Sequence, residues 1–123
     1  MAFGGLKGTL QGSATSITNP FSTDAGSISV SVGDLIFVVC HEQTSNTATS
    51  ASDNLGNSYA AVNAGSDAGT VTSRAFWSRV TVAGTLTTCS VAATGSADNV
   101  VLLAAVIEGP FVVSPLDANP ADI

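Results

Sequence analysis

Cys40-His41-Glu42 places a thiol, an imidazole and a carboxylate in consecutive positions at the end of an apolar run. These are the residue types of a nucleophile, a base and an orienting acid. Adjacent residues on a strand project to opposite faces, so Cys40 and His41 cannot pair with each other. His41 is the one histidine, and Cys89 is the second of two cysteines. A thiol mechanism would therefore need Cys89 brought to His41 from another strand. The pattern predicts no catalytic residues and no enzyme. Cys40 is expected in the core, with His41 and Glu42 marking where the strand emerges into solvent.

Asp53, Asn54, Asn57 and Asp67 offer oxygens of the kind that bind Ca²⁺. Their spacing does not match the roughly twelve-residue Ca²⁺ loop, and no bidentate Glu closes it. Turn-forming Asx residues explain the same letters. One His and two distant Cys are too few for zinc. No metal and no cofactor are expected. Tyr59, Phe76 and Trp77 could form a sugar-stacking platform, with Asn54 and Asn57 supplying polar contacts. Phe76 and Trp77 are neighbours, so one faces in and one out; an outward Trp is a ligand contact or an interface anchor. Arg74 and Arg79 have odd separation and fall on opposite faces, one of them expected to pair with Glu108 or Asp117. No glycine loop has a phosphate-cradling pattern, and no Gly-x-Ser-x-Gly elbow occurs.

The elements that position these groups follow from composition and periodicity. The 123 residues are 45% hydrophobic and only 10% charged, against about 25% charged in ordinary soluble domains. A surface of Ser, Thr, Asn and Gly repels its neighbours weakly, which favours a subunit packed in an assembly. Three basic residues (Lys7, Arg74, Arg79) face nine acidic ones, a net charge of −6. Nothing there could neutralise a phosphate backbone or an anionic membrane. No apolar stretch approaches the ~20 residues that span a bilayer. Met1-Ala-Phe-Gly-Gly-Leu-Lys7 lacks the pattern of a secretory signal, so the chain is expected to be made in the cytoplasm unless a signal has been removed. Cys40 and Cys89 are read as two buried thiols, with a bridge across the core as the alternative.

Val32-Gly-Asp-Leu-Ile-Phe-Val-Val-Cys-His-Glu42 contains the organising strand. Gly33-Asp34 turns the chain into the apolar run Leu35 to Cys40, which suits a strand covered on both sides, or with one face in the core and the other under a neighbour. Ile28, Val30 and Val32 alternate along one face of an earlier strand. Asp53 to Asn57 is a turn in which Gly56 accepts positive φ. Further strands are expected at 13–18, 58–62, 72–82, 86–93 and 100–108, the last with a buried helix as its alternative. Residues 44–52 form a loop or an edge strand. About seven short strands at spacings of roughly ten residues predict an all-β, antiparallel β-sandwich, Ig-like or jelly-roll-like, in a single domain. Residues 1–12 read as an N-terminal arm or short edge strand, 13–109 as the sandwich, and 110–123 as a Pro-rich C-terminal tail.

Val30-Ser-Val-Gly-Asp34, Ser52-Asp-Asn-Leu-Gly-Asn-Ser-Tyr59, Phe76-Trp77, Ala83-Gly-Thr-Leu-Thr87, and Glu108-Gly-Pro with Pro115-Leu-Asp117 occur in that order. Together, over roughly residues 28 to 117, they resemble a β-sandwich family found in phage virion proteins and bacterial surface proteins. The resemblance implies the fold and a range of roles: capsid decoration, tail or fibre module, carbohydrate-binding domain. In longer proteins of this kind more strands follow the Pro-x-Asp segment, whereas this sequence ends at Ile123. An edge left open to a neighbouring subunit is one expected consequence.

The expectation is a structural subunit of a larger assembly, a capsid decoration (cement) protein or small tail or fibre component of a phage-type virion. It would self-associate, with a trimer implied by the resemblance, and contact other virion proteins such as the capsid. Nucleic acid and membrane are not expected partners. Phe3, Leu6, Trp77 and Phe111 are the candidate interface residues. The alternative is a carbohydrate-binding or adhesion module, extracellular or at the cell surface, using Tyr59, Trp77, Asn54 and Asn57.

Overall fold

The computed structural model describes residues 4–17, 19–43, 48–62, 65–67, 71–95 and 97–111, without the side chains of 14–17, 65–67, 71–72 and 97–98. Alternating and apolar runs of β-branched residues become strands wherever Gly, Pro or Asx residues bound them. The strands are β1 (Leu6–Ile17), β2 (Phe21–Ser22), β3 (Ile28–Val30), β4 (Leu35–Glu42), β5 (Ala48–Asp53) and β6 (Ala60–Ala61). They continue with β7 (Gly65–Asp67), β8 (Val71–Arg79), β9 (Gly84–Leu86), β10 (Cys89–Ala93) and β11 (Ala97–Ile107). The described residues contain no helix, and all pairings are antiparallel. The architecture is all-β and consistent with a β-sandwich.

The large sheet runs β1-β11-β4-β8-β6, with β7 also paired to β8; β2-β10-β5 and β3-β9 form two smaller sheets. The expected organising strand, β4, lies inside the large sheet between β11 and β8. Its inward side chains Ile36, Val38 and Cys40 join Phe76, Leu102, Ala104 and Val106 in one core with Phe21, Leu86, Cys89 and Val91. Both cysteines are free and buried. Residues 97–107 form a strand, so the helical alternative for that run falls away.

Several boundaries differ from the expectation. Leu6 to Gly12, placed in an arm or short edge strand, belong to the long edge strand β1, which pairs with β11 from Leu6↔Ile107 to Ile17↔Ala97. A boundary after residue 12 thus falls within one strand. The expected strand 86–93 is two, because the backbone N–H groups of Thr87 and Thr88 leave the ladder to bond the Asn54 carboxamide oxygen at 2.8 and 3.3 Å. Of the strand expected at 58–62, Ala60–Ala61 form β6, and the Val62 N–H still donates to the Ala75 carbonyl at 2.9 Å. The tail from 112 onward lies outside the described residues.

Glu42 corrects the expectation that it reaches solvent: it is 1% exposed. Strand alternation explains this. Glu42 stands two positions after Cys40, on the same inward face, and β4 is still flanked there by Val100 and Thr72. One carboxylate oxygen accepts from the Cys40 thiol at 3.4 Å; the other has no hydrogen-bond partner.

Candidate interaction face

The turn motifs secure loops, and the candidate ligand residues among them are committed to that task. Asp53 ends β5 and its Oδ1 accepts from the backbone N–H groups of Leu55, Gly56 and Asn57 at 2.8, 2.8 and 3.2 Å. Its Oδ2 accepts from Asn57 Nδ2 at 3.1 Å and from the Tyr59 hydroxyl at 2.8 Å. Gly56 sits at φ +84°, which permits the tight closure around that carboxylate. Asn57 is buried, and its oxygen accepts from the N–H groups of Thr81 and Val82, both at 2.9 Å. Asn54 clamps the β9–β10 connection by donating to the Thr85 carbonyl at 3.0 Å while accepting from Thr87 and Thr88. Tyr59 packs against the core beside Cys89. Burial raises the Tyr59 hydroxyl and pushes the Cys89 thiol up to about 11.

Of the expected sugar platform, then, Asn57 is buried and Tyr59 and Asn54 are engaged internally. Trp77 on β8 is in register with Ala60, the residue after Tyr59, so strand alternation sends its side chain to the outer face while Tyr59 packs against the core. Of the possible Ca²⁺ ligands, Asp53, Asn54 and Asn57 are similarly engaged, and the Asp67 side chain lies outside the described residues. Among the described residues no group of three His, Cys, Asp or Glu is placed to hold a metal ion.

The Gly33-Asp34 turn has the same logic. Asp34 is buried, and its Oδ2 accepts from Lys7 Nζ at 2.6 Å and Ser31 N at 2.8 Å, while Oδ1 accepts from Gly109 N at 2.8 Å. This one carboxylate ties the starts of β1 and β4 to the end of β11. Burial pushes its pKa up, but Lys7 and the two backbone N–H groups outweigh that and hold it below its ordinary value.

His41 faces outward, and its Nδ1 is 2.7 Å from Ser73 Oγ on β8. Cys40 points inward, and burial raises its thiol. The Ser73 contact was invisible in sequence, because nothing local fixes which β8 residue lies opposite His41. Among the described residues no carboxylate bonds the ring. Arg74 and Arg79 do take opposite faces. Arg74 lies over the Phe76 ring and donates to the Ala48 carbonyl at 3.0 Å; Arg79 donates to the Phe111 carbonyl at 2.8 Å, and neither meets Glu108. Asp117 lies outside the described residues.

What the structure does assemble is an apolar outer face on the large sheet. Reading across β1, β11, β4 and β8, the outward side chains form three rungs. The first is Thr9, Ala105, Phe37 and Trp77; the second Gln11, Leu103, Val39 and Ala75; the third Ser13, Val101, His41 and Ser73. Val39, Leu103 and Val101 are 42, 41 and 52% exposed, and Phe37, Trp77, Ala75 and Ala105 are half-buried around them. No carboxylate stands on these rungs. Antiparallel sheets that face water on one side alternate apolar-in and polar-out, whereas β4 and β11 are apolar on both faces. Isolated exposed apolar residues need no explanation, whereas the largest contiguous apolar patch on a protein is often functional.

Of the described candidate interface residues, Trp77 stands on the three rungs. Leu6, 65% exposed, stands opposite Ile107 at one end, in the row that continues through Leu35 to Arg79. Phe111, half-buried, meets the same end through Arg79. Phe3 lies outside the described residues. Beyond Val101, a shallow groove of about 360 Å³ lined by Gln11, Gly12, Ser13, Asp24 and Val101 continues the face to the free edge of β1. That edge is capped at one point, where Asp24 N donates to the Gln11 carbonyl at 3.0 Å.

No protein-family description, curated protein or solved structure matches the chain.

Proposed function

We propose that the protein is a structural subunit of a larger assembly, acting through protein–protein contacts. The setting we propose is a phage-type virion, as a capsid decoration protein or small tail or fibre component, with the sandwich of the Ig-like or jelly-roll-like kind. The observation that carries the proposal is the carboxylate-free apolar outer face of β11, β4 and β8. Exposing Val39, Val101 and Leu103 to water costs free energy that a stand-alone domain would avoid with polar side chains, and a neighbouring subunit recovers it by covering them. The low charge of the whole chain and the order of its motifs support the same reading.

A carbohydrate-binding role needs aromatic rings flanked by free polar side chains. Asn54, Asn57 and Tyr59 are instead spent on the chain itself, which favours the structural role. Quantitative mass spectrometry of particles purified from the source is the test. The chain should appear in fixed stoichiometry to the major shell or tail protein. Its presence only in the soluble fraction of the lysate would overturn the proposal.

A further inference from the structure

We infer that the occupant of the outer face is a second copy of this chain, packed face to face across a two-fold axis near Val39. The inference rests on the structural-subunit reading and names its partner. Three observations carry it.

The first is charge. The chain carries nine acidic residues and a net charge of −6, so two copies repel unless they meet where carboxylates are absent. The three rungs carry no carboxylate. Of the described ionisable side chains on their margins, His41 and Arg79 are on the β4 and β8 side, and Asp24 lies in the groove beside Gln11 and Ser13, at the β1 edge and away from Val39. A basic partner, attracted to an acidic protein, would sit where the acids are.

The second is symmetry. The exposed large apolar residues are Leu6, Val32, Val39, Val82, Val101 and Leu103. Val39, Val101 and Leu103 are neighbours on adjacent rungs, and Leu6 lies at the end of the same sheet. Val32 and Val82 sit singly in the β3–β4 and β8–β9 turns. Among the described residues there is thus no second apolar patch for the first to meet. A patch that must meet itself makes an isologous contact, which closes as a dimer; a trimer needs two different complementary surfaces.

The third is relief. Bulk lies on one side of the face, at Trp77 and Phe37, and smaller or aliphatic groups on the other, at Ala105, Leu103 and Val101. A two-fold through the middle sets Trp77 of each copy against the aliphatic side of its partner, at the ~10 Å spacing of packed sheets.

Size sets the strength. Four strands about 4.8 Å apart and three rungs about 7 Å apart give a footprint on the order of 400 Å². That is roughly half of what each partner contributes to a standard interface of about 800 Å² a side, so the dimer should dissociate on dilution.

Light scattering on the full chain, from about 10 μM to about 1 mM, should show the mass rising from 12.2 kDa toward twice that value. Leu103→Glu and Val39→Glu, both on the outward face, should hold the mass at one chain across that range. Trp77 is the single tryptophan, so a second readout needs no variant: acrylamide quenching of the unmodified chain should fall several-fold over the same series. A constant single-chain mass with constant quenching would overturn the second-copy inference, while leaving the subunit reading to stand or fall on the particle analysis. A mass that doubles equally in both Glu variants, or a trimeric mass, would also overturn it.

Discussion

The Tyr59 hydroxyl donates to Asp53 Oδ2 at 2.8 Å across the turn that leaves β5, and the same carboxylate holds the N–H groups of Leu55, Gly56 and Asn57. Removing the carboxylate strands several donors at once, whereas removing the hydroxyl costs one bond. Asp53→Ala should therefore lower unfolding stability by about 3 kcal/mol and Tyr59→Phe by about 1 kcal/mol. Urea titrations followed by Trp77 fluorescence measure both. Equal losses would show that Asp53 does not organise the turn.

Asn54 and Asn57 each bridge strands with one carboxamide, but at different depths. Asn57 is buried and leaves Thr81 N and Val82 N without their acceptor when truncated; Asn54 is exposed, and water can replace it. Asn57→Ala should cost about 2 kcal/mol and Asn54→Ala at most about 1 kcal/mol. The alternative sugar-binding role predicts the reverse emphasis, with either change abolishing glycan retention and sparing stability. Paired melting and glycan-binding measurements separate the two.

Lys7 and Asp34 make the one ion pair found among the described residues, at 2.6 Å. Asp34 is held below its ordinary value, so the folded chain binds that proton more weakly than the unfolded chain does. Its contribution is complete above the unfolded value near 3.8 and disappears as pH falls through the lower folded value. Asp34→Asn should lose about 2 kcal/mol at pH 7 and progressively less below about pH 4. A deficit that stays constant down to about pH 2 would contradict the assignment.

Glu42 works in the opposite sense. Burial raises its pKa, and the Cys40 thiol, its hydrogen-bond donor, offsets this only in part. Arg74 stands diagonally across on β8 without an ion pair to it, and Val100 faces it from β11. The contribution from Glu42 is complete below the unfolded value near 4.5 and declines as pH rises through the higher folded value. Glu42→Gln should raise stability by about 1 kcal/mol at pH 8 and by nothing near pH 4. Denaturant midpoints at the two pH values check the sign.

The fold was legible where local pattern decides it. The apolar run from Leu35 and the Asp53–Asn57 turn appear as strand and turn in the expected places, because β-propensity and Asx chemistry act over a few residues. Of the Ile28, Val30 and Val32 alternation, Ile28 and Val30 are buried in β3, while Val32 falls in the turn that follows and is exposed. The split between β9 and β10 was not legible: it depends on the Asn54 side chain reaching Thr87 and Thr88 from another part of the chain. Glu42 was misplaced because a charged residue at the end of a run reads as an exit to solvent, while strand alternation carried it inward. The outer face was half legible. The two-sided apolar character of 35–40 and 100–107 is plain in sequence, but only the register through β11, β4 and β8 shows that Leu103, Val39 and Ala75 form one rung. Leu6 and Trp77 were named separately and lie on the same sheet, on β1 and β8 with β11 and β4 between them.

The central claim is that the outer face is covered in the working protein. Hydroxyl-radical footprinting tests it most directly, comparing dilute isolated chain with chain in its assembled form. Phe37, Val39, Trp77, Val101 and Leu103 should lose most of their labelling on assembly, while Val32 and Val82, exposed in turns on the same chain, keep theirs. Equal labelling of the face residues in both samples would contradict the account.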